Sequence, residues 1–414
     1  MFSERIRIQV EASDKFQHKP GYGRQYTNIY QDRLKVLKKY IKVPSDWKQL
    51  ADAKERVLDL QIGKLAYCTG VIVRKPANKT NIFNDLKKTY HGVKPDHPLK
   101  YTTDNDEIYL EDEHGRILLG GALCDKEFLV TGIVASILGM QTTNGVFDAV
   151  DIAYPSLAPI SDISTEIHGK VAILSGLNLD DVDHEDLRIT TLLEHLALTP
   201  EIVALIICGN SVKSADPTLV GSRMLRSPVN GAAMSKLDLL LASFCRVLPV
   251  FLMPGESDPT STAFPQISIH PTLFNECRPL IADKTLNMGT NPQFLNFQGI
   301  NMLGISNQSI DDLHRYDHND VFSDLDLMEK TLNWRHIAPT SPDTLWSFPY
   351  LEDPLILQEL PHLYFVGNAS ALKEREFGSE KKVKLLTVPS FSSTGIVAVV
   401  DLNSMTIESL EIKD

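Results

Sequence analysis

The apolar positions of this chain change period partway along it. Between residues 24 and 41, Tyr26, Ile29, Tyr30, Leu34, Leu37 and Ile41 fall at helical spacing, which predicts an amphipathic helix. Arg33, Lys35, Lys38, Lys39 and Lys42 lie on the opposite face, which is expected to be solvated. Residues 64–75 then alternate and are rich in β-branched side chains, the signature of a strand. Residues 107–119 read as a hairpin turning at His114-Gly115, where glycine accepts positive φ. Residues 129–138 and 146–154 read as a second pair around Thr142-Thr143-Asn144-Gly145.

Five short strands with glycine-marked turns predict an OB-type β-barrel. Beyond Pro155 and Pro159, strands alternate with helices, as in α/β architecture. Strands are expected at 171–175, 203–208, 248–252, 301–305, 363–367, 384–389 and 396–401. Helices are expected near 187–198, 232–246 and 321–335. In the second of these, Met234, Leu237, Leu240, Leu241 and Phe244 share one face. The organisation expected is a two-domain α+β chain, with an N-terminal segment at 1–45, the barrel at 46–160 and an α/β domain at 161–414. The barrel carries a long insert, 74–100, with seven Lys or Arg against two Asp. Its aromatics are Phe83 and Tyr90 alone, so it is expected to be disordered, with contact to single-stranded DNA as the alternative.

Composition narrows the function classes. With 414 residues, 43% of them hydrophobic and 23% charged, the chain has room for two ordinary globular cores. No apolar run approaches the ~18 residues of a membrane span; the longest, 237–244, contains Asp238. The first residues lack the apolar stretch of a secretory signal. The five cysteines (Cys68, Cys124, Cys208, Cys245, Cys277) form no C-x-x-C pair and read as reduced residues of an intracellular protein. A net charge of −12 argues against a chain whose main task is gripping nucleic acid.

The candidate chemistry sits where apolar strands run into tight loops, at 171–178, 205–210, 250–259 and 363–370. In α/β proteins such carboxyl-end loops are where ligands gather. The loops offer Gly176 and Asn178, then Gly209-Asn210, then Gly255-Glu256-Ser257-Asp258, then Gly367-Asn368-Ala369-Ser370. This order resembles the calcineurin-like metallophosphoesterases, which carry Asp-x-His, Gly-Asp, Gly-Asn-His-Asp/Glu and Gly-His-x-His at these places. Here the shaping glycines remain and the metal ligands are missing, apart from Asp258. A two-metal centre needs anionic carboxylates and neutral imidazoles around ions roughly 3.5–4 Å apart. Asparagine in place of aspartate removes the charge, and asparagine, alanine or serine in place of histidine removes the nitrogen donor. Gly176, Asn178, Asn210, Glu256, Ser257, Asp258, Asn368 and Ser370 are therefore read as degenerate positions, with no catalytic residue, metal or cofactor. Glu256 and Asp258, set between Pro254 and Pro259, read as a structural turn before an acid–base pair. The acidic run 178–186 fails as an EF-hand, because Asp186 stands at the turn glycine and Leu192 at the bidentate glutamate.

Longer motifs narrow the resemblance. Residues 253–260 (Met-Pro-Gly-Glu-Ser-Asp-Pro-Thr) with Pro265-Gln266 and His270-Pro271 resemble the B-subunits of replicative DNA polymerases. So do Gly304-Ile305-Ser306-Asn307-Gln308 with Asp311-Asp312, residues 338–345, Val388-Pro389-Ser390-Phe391-Ser392, and Leu110-Glu111-Asp112-Glu113. Residues 24–30 (Arg-Gln-Tyr-Thr-Asn-Ile-Tyr) favour the polymerase delta small-subunit branch over those of alpha and epsilon. The resemblance implies an OB-type barrel packed on an inactivated phosphoesterase domain. It also implies a nuclear, non-catalytic scaffold in DNA replication and repair synthesis. Such a scaffold binds the cysteine-rich C-terminal domain of the polymerase catalytic subunit and links it to a third regulatory subunit, touching DNA mainly through the complex and no membrane. The competing readings are a residual metal-dependent phosphodiesterase or nuclease, and a single-stranded DNA-binding OB protein.

Overall fold

In the computed structural model, the described residues are 10–17, 23, 25–79, 99–103, 105–163, 167–181, 186–213, 231–379 and 382–413. Most of the predicted insert, and residues 182–185 of the acidic run, lie outside them. By its internal contacts the chain divides into two compact units, one comprising 20–159 and 309–358, the other 1–19, 160–308 and 359–414. The cut at 160 falls where the composition shifts. Those at 20, 309 and 359 have no counterpart in a linear reading.

The first unit is built on a barrel. Alternating apolar residues place strands β1 (Leu65–Lys75), β2 (Glu107–Glu111), β3 (Arg116–Gly120), β4 (Val134–Gln141) and β5 (Val146–Ala153). They pair in the order β1-β2-β3-β5-β4 and close through β4 on β1, antiparallel except for β3 on β5. Closure removes the open edges of the sheet. The hairpin turn is tied by Asp112, whose carboxylate accepts from the backbone N–H groups of His114 and Gly115, both at 2.8 Å. β4 starts five residues later than the sequence predicts. Gly132, with φ of 94°, breaks the extended run before it.

The predicted N-terminal helix spans Thr27–Leu37 and tightens into a 3₁₀ turn at Lys38–Tyr40. Ile29, Leu34 and Leu37 are buried, as the periodicity requires. Arg33 corrects the reading of a solvated basic face, because it is wholly buried. Its guanidinium donates to Asp353 Oδ2 at 2.7 Å and to the carbonyls of Gly132, Pro339 and Ser341. An arginine so enclosed is neutralised and fully hydrogen-bonded, the condition under which a buried charge is tolerated.

The second unit stacks two six-stranded sheets. In one, β6 (Lys170–Leu174), β7 (Ile202–Cys208) and β8 (Val250–Met253) run parallel. The other contains β9 (Gln293–Phe297), β10 (Ile300–Ile305), β11 (Leu363–Ala369), β12 (Lys373–Phe377) and β13 (Val383–Pro389), with β10, β11 and β13 parallel. β14 (Ile396–Asp401) flanks β6 in the first sheet. Both sheets contribute to one buried apolar layer that includes Ile173, Ile206, Phe251, Phe297, Met302, Phe365 and Leu386. The outer face of the first sheet is covered by helices Leu187–Leu198 and Gly231–Cys245 through Leu192, Leu196, Leu237, Leu241 and Phe244. Asp238, the charge that interrupts this apolar run, is buried. Its carboxylate holds the backbone N–H groups of Asn275, Glu276 and Cys277 at 2.7–2.9 Å.

All five cysteines are free, and four are buried. Among the described residues no helix is long and apolar enough to cross a membrane.

Candidate functional site

The carboxyl ends of β6, β7, β8, β10, β11 and β13 deliver their loops to one place within the second unit. The backbone there follows a repeated rule. Asn178, Asn210, Asn307 and Asn368 all sit at φ between 49° and 68°, the left-handed region that asparagine enters more readily than other non-glycine residues. Close approach supplies the rest. A Cβ on Gly209 would fall on the Ser306 side chain, and one on Gly176 would crowd Ser390 and the Asn368 amide.

The side chains brought together are amides and hydroxyls. Asn178 Nδ2 donates to the Gly176 carbonyl at 3.2 Å, Ser390 Oγ at 3.0 Å and Ser392 Oγ at 2.9 Å. Asn368 Nδ2 donates to the Cys208 carbonyl at 3.1 Å and Ser306 Oγ at 3.0 Å, while its backbone N–H donates to Ser175 Oγ at 2.9 Å. Asn210 Oδ1 accepts from both the backbone N–H and Oγ of Ser257, each at 3.2 Å. The Ser175 hydroxyl reaches the carbonyls of Val388 and Pro389. The bonds of Asn178 to Ser390 and Ser392, of Asn368 to Ser175 and the Cys208 carbonyl, and of Ser175 to 388–389 cross between the two sheets and tie them at this end.

Asp258 is the one buried carboxylate in the set, and it points inward to the chain. Its Oδ1 accepts from the backbone N–H groups of Ser211 (2.8 Å) and Val212 (3.0 Å), and its Oδ2 from that of Gly255 (2.7 Å). Burial pushes this carboxyl up to about 6, against the pull of those N–H groups. Both oxygens are committed to holding loops together.

The remaining sequence candidates part company. Glu256 is exposed, so it makes no pair with the buried Asp258. Ser370 is exposed beyond the end of β11 and takes no part in the hydrogen-bonded cluster. Sequence reasoning quotes Ser306, Ser390 and Ser392 in the longer motifs and covers Ser175 in the junction 171–178, but names none of the four as a site residue. Their signal is present, since 305–306 and 389–390 place serine directly after a strand, as 174–175 does in the first of the candidate loops. Among the described residues, no three His, Cys, Asp or Glu side chains are grouped so as to hold a metal ion. What this donor set can do is lock loop to loop; it offers neither an imidazole base nor paired carboxylates.

The chain that carries this barrel, two-sheet unit and amide–serine hub matches one class of protein, the B-subunits of DNA polymerases. Residues 171–376 match the family of the DNA polymerase alpha/epsilon B-subunit, and residues 25–152 match the DNA polymerase delta subunit OB-fold domain. The DNA polymerase delta small subunit of Saccharomyces cerevisiae is 32% identical over 451 aligned residues, covering 95% of this chain and 90% of the yeast protein. That of Oryza sativa subsp. japonica is 30% identical, covering 98% and 95%. The DNA polymerase delta subunit 2 of Drosophila melanogaster is 32% identical, covering 93% and 92%. The chain belongs to the DNA polymerase delta small-subunit family, and is an accessory polymerase subunit.

Proposed function

We propose that the chain is a non-catalytic scaffold of nuclear DNA polymerase delta in replication and repair synthesis. In this reading it holds the C-terminal domain of the catalytic subunit and links it to a third regulatory subunit. The two-sheet unit is a phosphoesterase-type sandwich of the calcineurin-like kind that has lost catalysis. The observation that carries this is the hub itself. At the place where a two-metal hydrolase gathers histidines and aspartates, Asn178, Asn210 and Asn368 bond to serines and carbonyls, and Asp258 is spent on three backbone N–H groups. A dinuclear centre needs about three ligands per ion and an open position. The acidic balance of −12 fits a subunit that leaves the DNA channel to its partner.

The test is direct. The full chain, dialysed against manganese or zinc, is assayed for retained metal and for hydrolysis of bis(p-nitrophenyl) phosphate. The expected result is no stoichiometric metal and no turnover above buffer. Stoichiometric metal with turnover overturns the non-catalytic assignment.

A further inference from the structure

A groove of about 990 Å³ opens beside the barrel, and every residue that lines it belongs to the first unit. One wall is the start of β2, the end of β3 and the short helix Ala122–Lys126; the other is the segment 316–322. The face formed by the second and third strands is where OB barrels commonly take oligonucleotides. Here the charge has the wrong sign for phosphate. Five carboxylates line the groove (Asp106, Glu107, Asp125, Glu127 and Asp317) against the cations Arg74 and Lys126.

Pairing narrows the excess to Asp125 and Glu127 against Lys126, because Glu107 is already held by Lys75 at 3.4 Å. Arg74 is already held by Asp106 at 2.8 Å, and Asp106 is sealed from solvent, so this pair presents little net charge. Asp317 is buried and accepts from the Phe322 N–H. Asp125 is exposed, and Glu127, half-buried, accepts from Tyr154 Oη at 3.3 Å. The groove also carries an apolar foothold, because Val321 is 68% exposed beside half-buried Phe322 and Leu118.

We propose that this groove is a docking site for a lysine- or arginine-bearing polypeptide segment with one aliphatic or aromatic anchor, supplied by a protein partner in the polymerase assembly. It rests on the scaffold reading for the source of that segment and goes beyond it in assigning the surface and its chemistry. Carboxylates at Asp125 and Glu127 steer and pair the cationic groups, while the anchor buries against Val321 and Phe322. A nucleic-acid strand is disfavoured by the same charges.

The experiment uses the assembled complex. A photo-crosslinking residue at Val321 should yield crosslinks to a partner-subunit peptide containing Lys or Arg. Crosslinks to DNA in the DNA-bound complex, or none while partners co-purify, overturn the proposal. In parallel, Asp125→Lys combined with Glu127→Lys should weaken partner binding about tenfold or more, and Asp125→Asn with Glu127→Gln should weaken it less. Thermal melting of the uncomplexed variants is the control for folding. If wild type recruits no polymerase subunit, the scaffold reading fails; if wild type and both variants recruit equally, only the groove assignment fails.

Discussion

Arg33 Nε lies 2.7 Å from Asp353 Oδ2, and both side chains are sealed from solvent although 320 residues separate them. The pair ties the N-terminal helix to the segment 335–358, and His336 Nε2 joins it at 2.9 Å from the same oxygen. Asp353 Oδ1 accepts the backbone N–H of Leu355 at 3.0 Å. The arrangement is a closed hydrogen-bonded knot within the first unit.

Arg33→Ala should therefore be severe. It strips the guanidinium from a buried carboxylate and leaves the Gly132, Pro339 and Ser341 carbonyls short of a donor, a change that typically costs about 3–5 kcal/mol. Arg33→Lys should rescue only part, because an ammonium cannot reproduce the planar fork. Urea denaturation of the two variants checks the order wild type, lysine, alanine. A lysine variant as stable as wild type would contradict it.

The same pair makes a pH prediction. Burial raises the Asp353 carboxyl, and the Arg33 guanidinium and His336 more than reverse it, leaving it well below the usual carboxylate range. A carboxyl depressed on folding contributes stability above its unfolded value, about 3.9, and loses it as pH falls through the folded value. Wild type should lose stability on acidification below about pH 4. Arg33→Ala should show a shallower loss over that range, because the guanidinium is the largest of the groups that depress the carboxyl, with His336 left to act beside it. Denaturation midpoints followed downward from pH 5 test this, and parallel curves would contradict it.

Much of the architecture is legible in the sequence because it follows local rules. The strands of the barrel and of the parallel sheets, and the helix Leu187–Leu198, come from period and β-branching that each segment carries itself. Arg33 misleads because the sequence places it among lysines, and its partner lies in another part of the chain. The helix Gln308–Tyr316 escapes a linear reading because Asp311, Asp312, His314 and Arg315 hide the stripe of Ile310, Leu313 and Tyr316. At the site, the loss of metal-ligand types is readable from residue identity. That Asn368 bonds to Ser306 and the Cys208 carbonyl is not, since such partners are fixed only when strands from two sheets converge.

Asn210 separates backbone from side-chain contributions. Asn210→Gly removes the acceptor for Ser257 but tolerates a φ of 53°. Asn210→Ala removes the same bonds and adds left-handed strain of about 1–2 kcal/mol. The alanine variant should melt below the glycine variant, and both below wild type. Alanine equal to or better than glycine would contradict the strained-loop account.

Asp258→Asn should destabilise by about 1–3 kcal/mol. One amide oxygen cannot serve both the Ser211–Val212 pair and Gly255, so at least one buried N–H loses its acceptor. Chemical denaturation measures the change. A variant of unchanged stability would show that the carboxylate is not the loop clasp described.

The most direct test of the scaffold assignment is affinity purification of the tagged chain from native extract at moderate salt, with the stoichiometry of co-purifying chains read by mass spectrometry. Recovery of an equimolar large polymerase subunit is the predicted result. Recovery of the chain alone, folded and soluble, would contradict it.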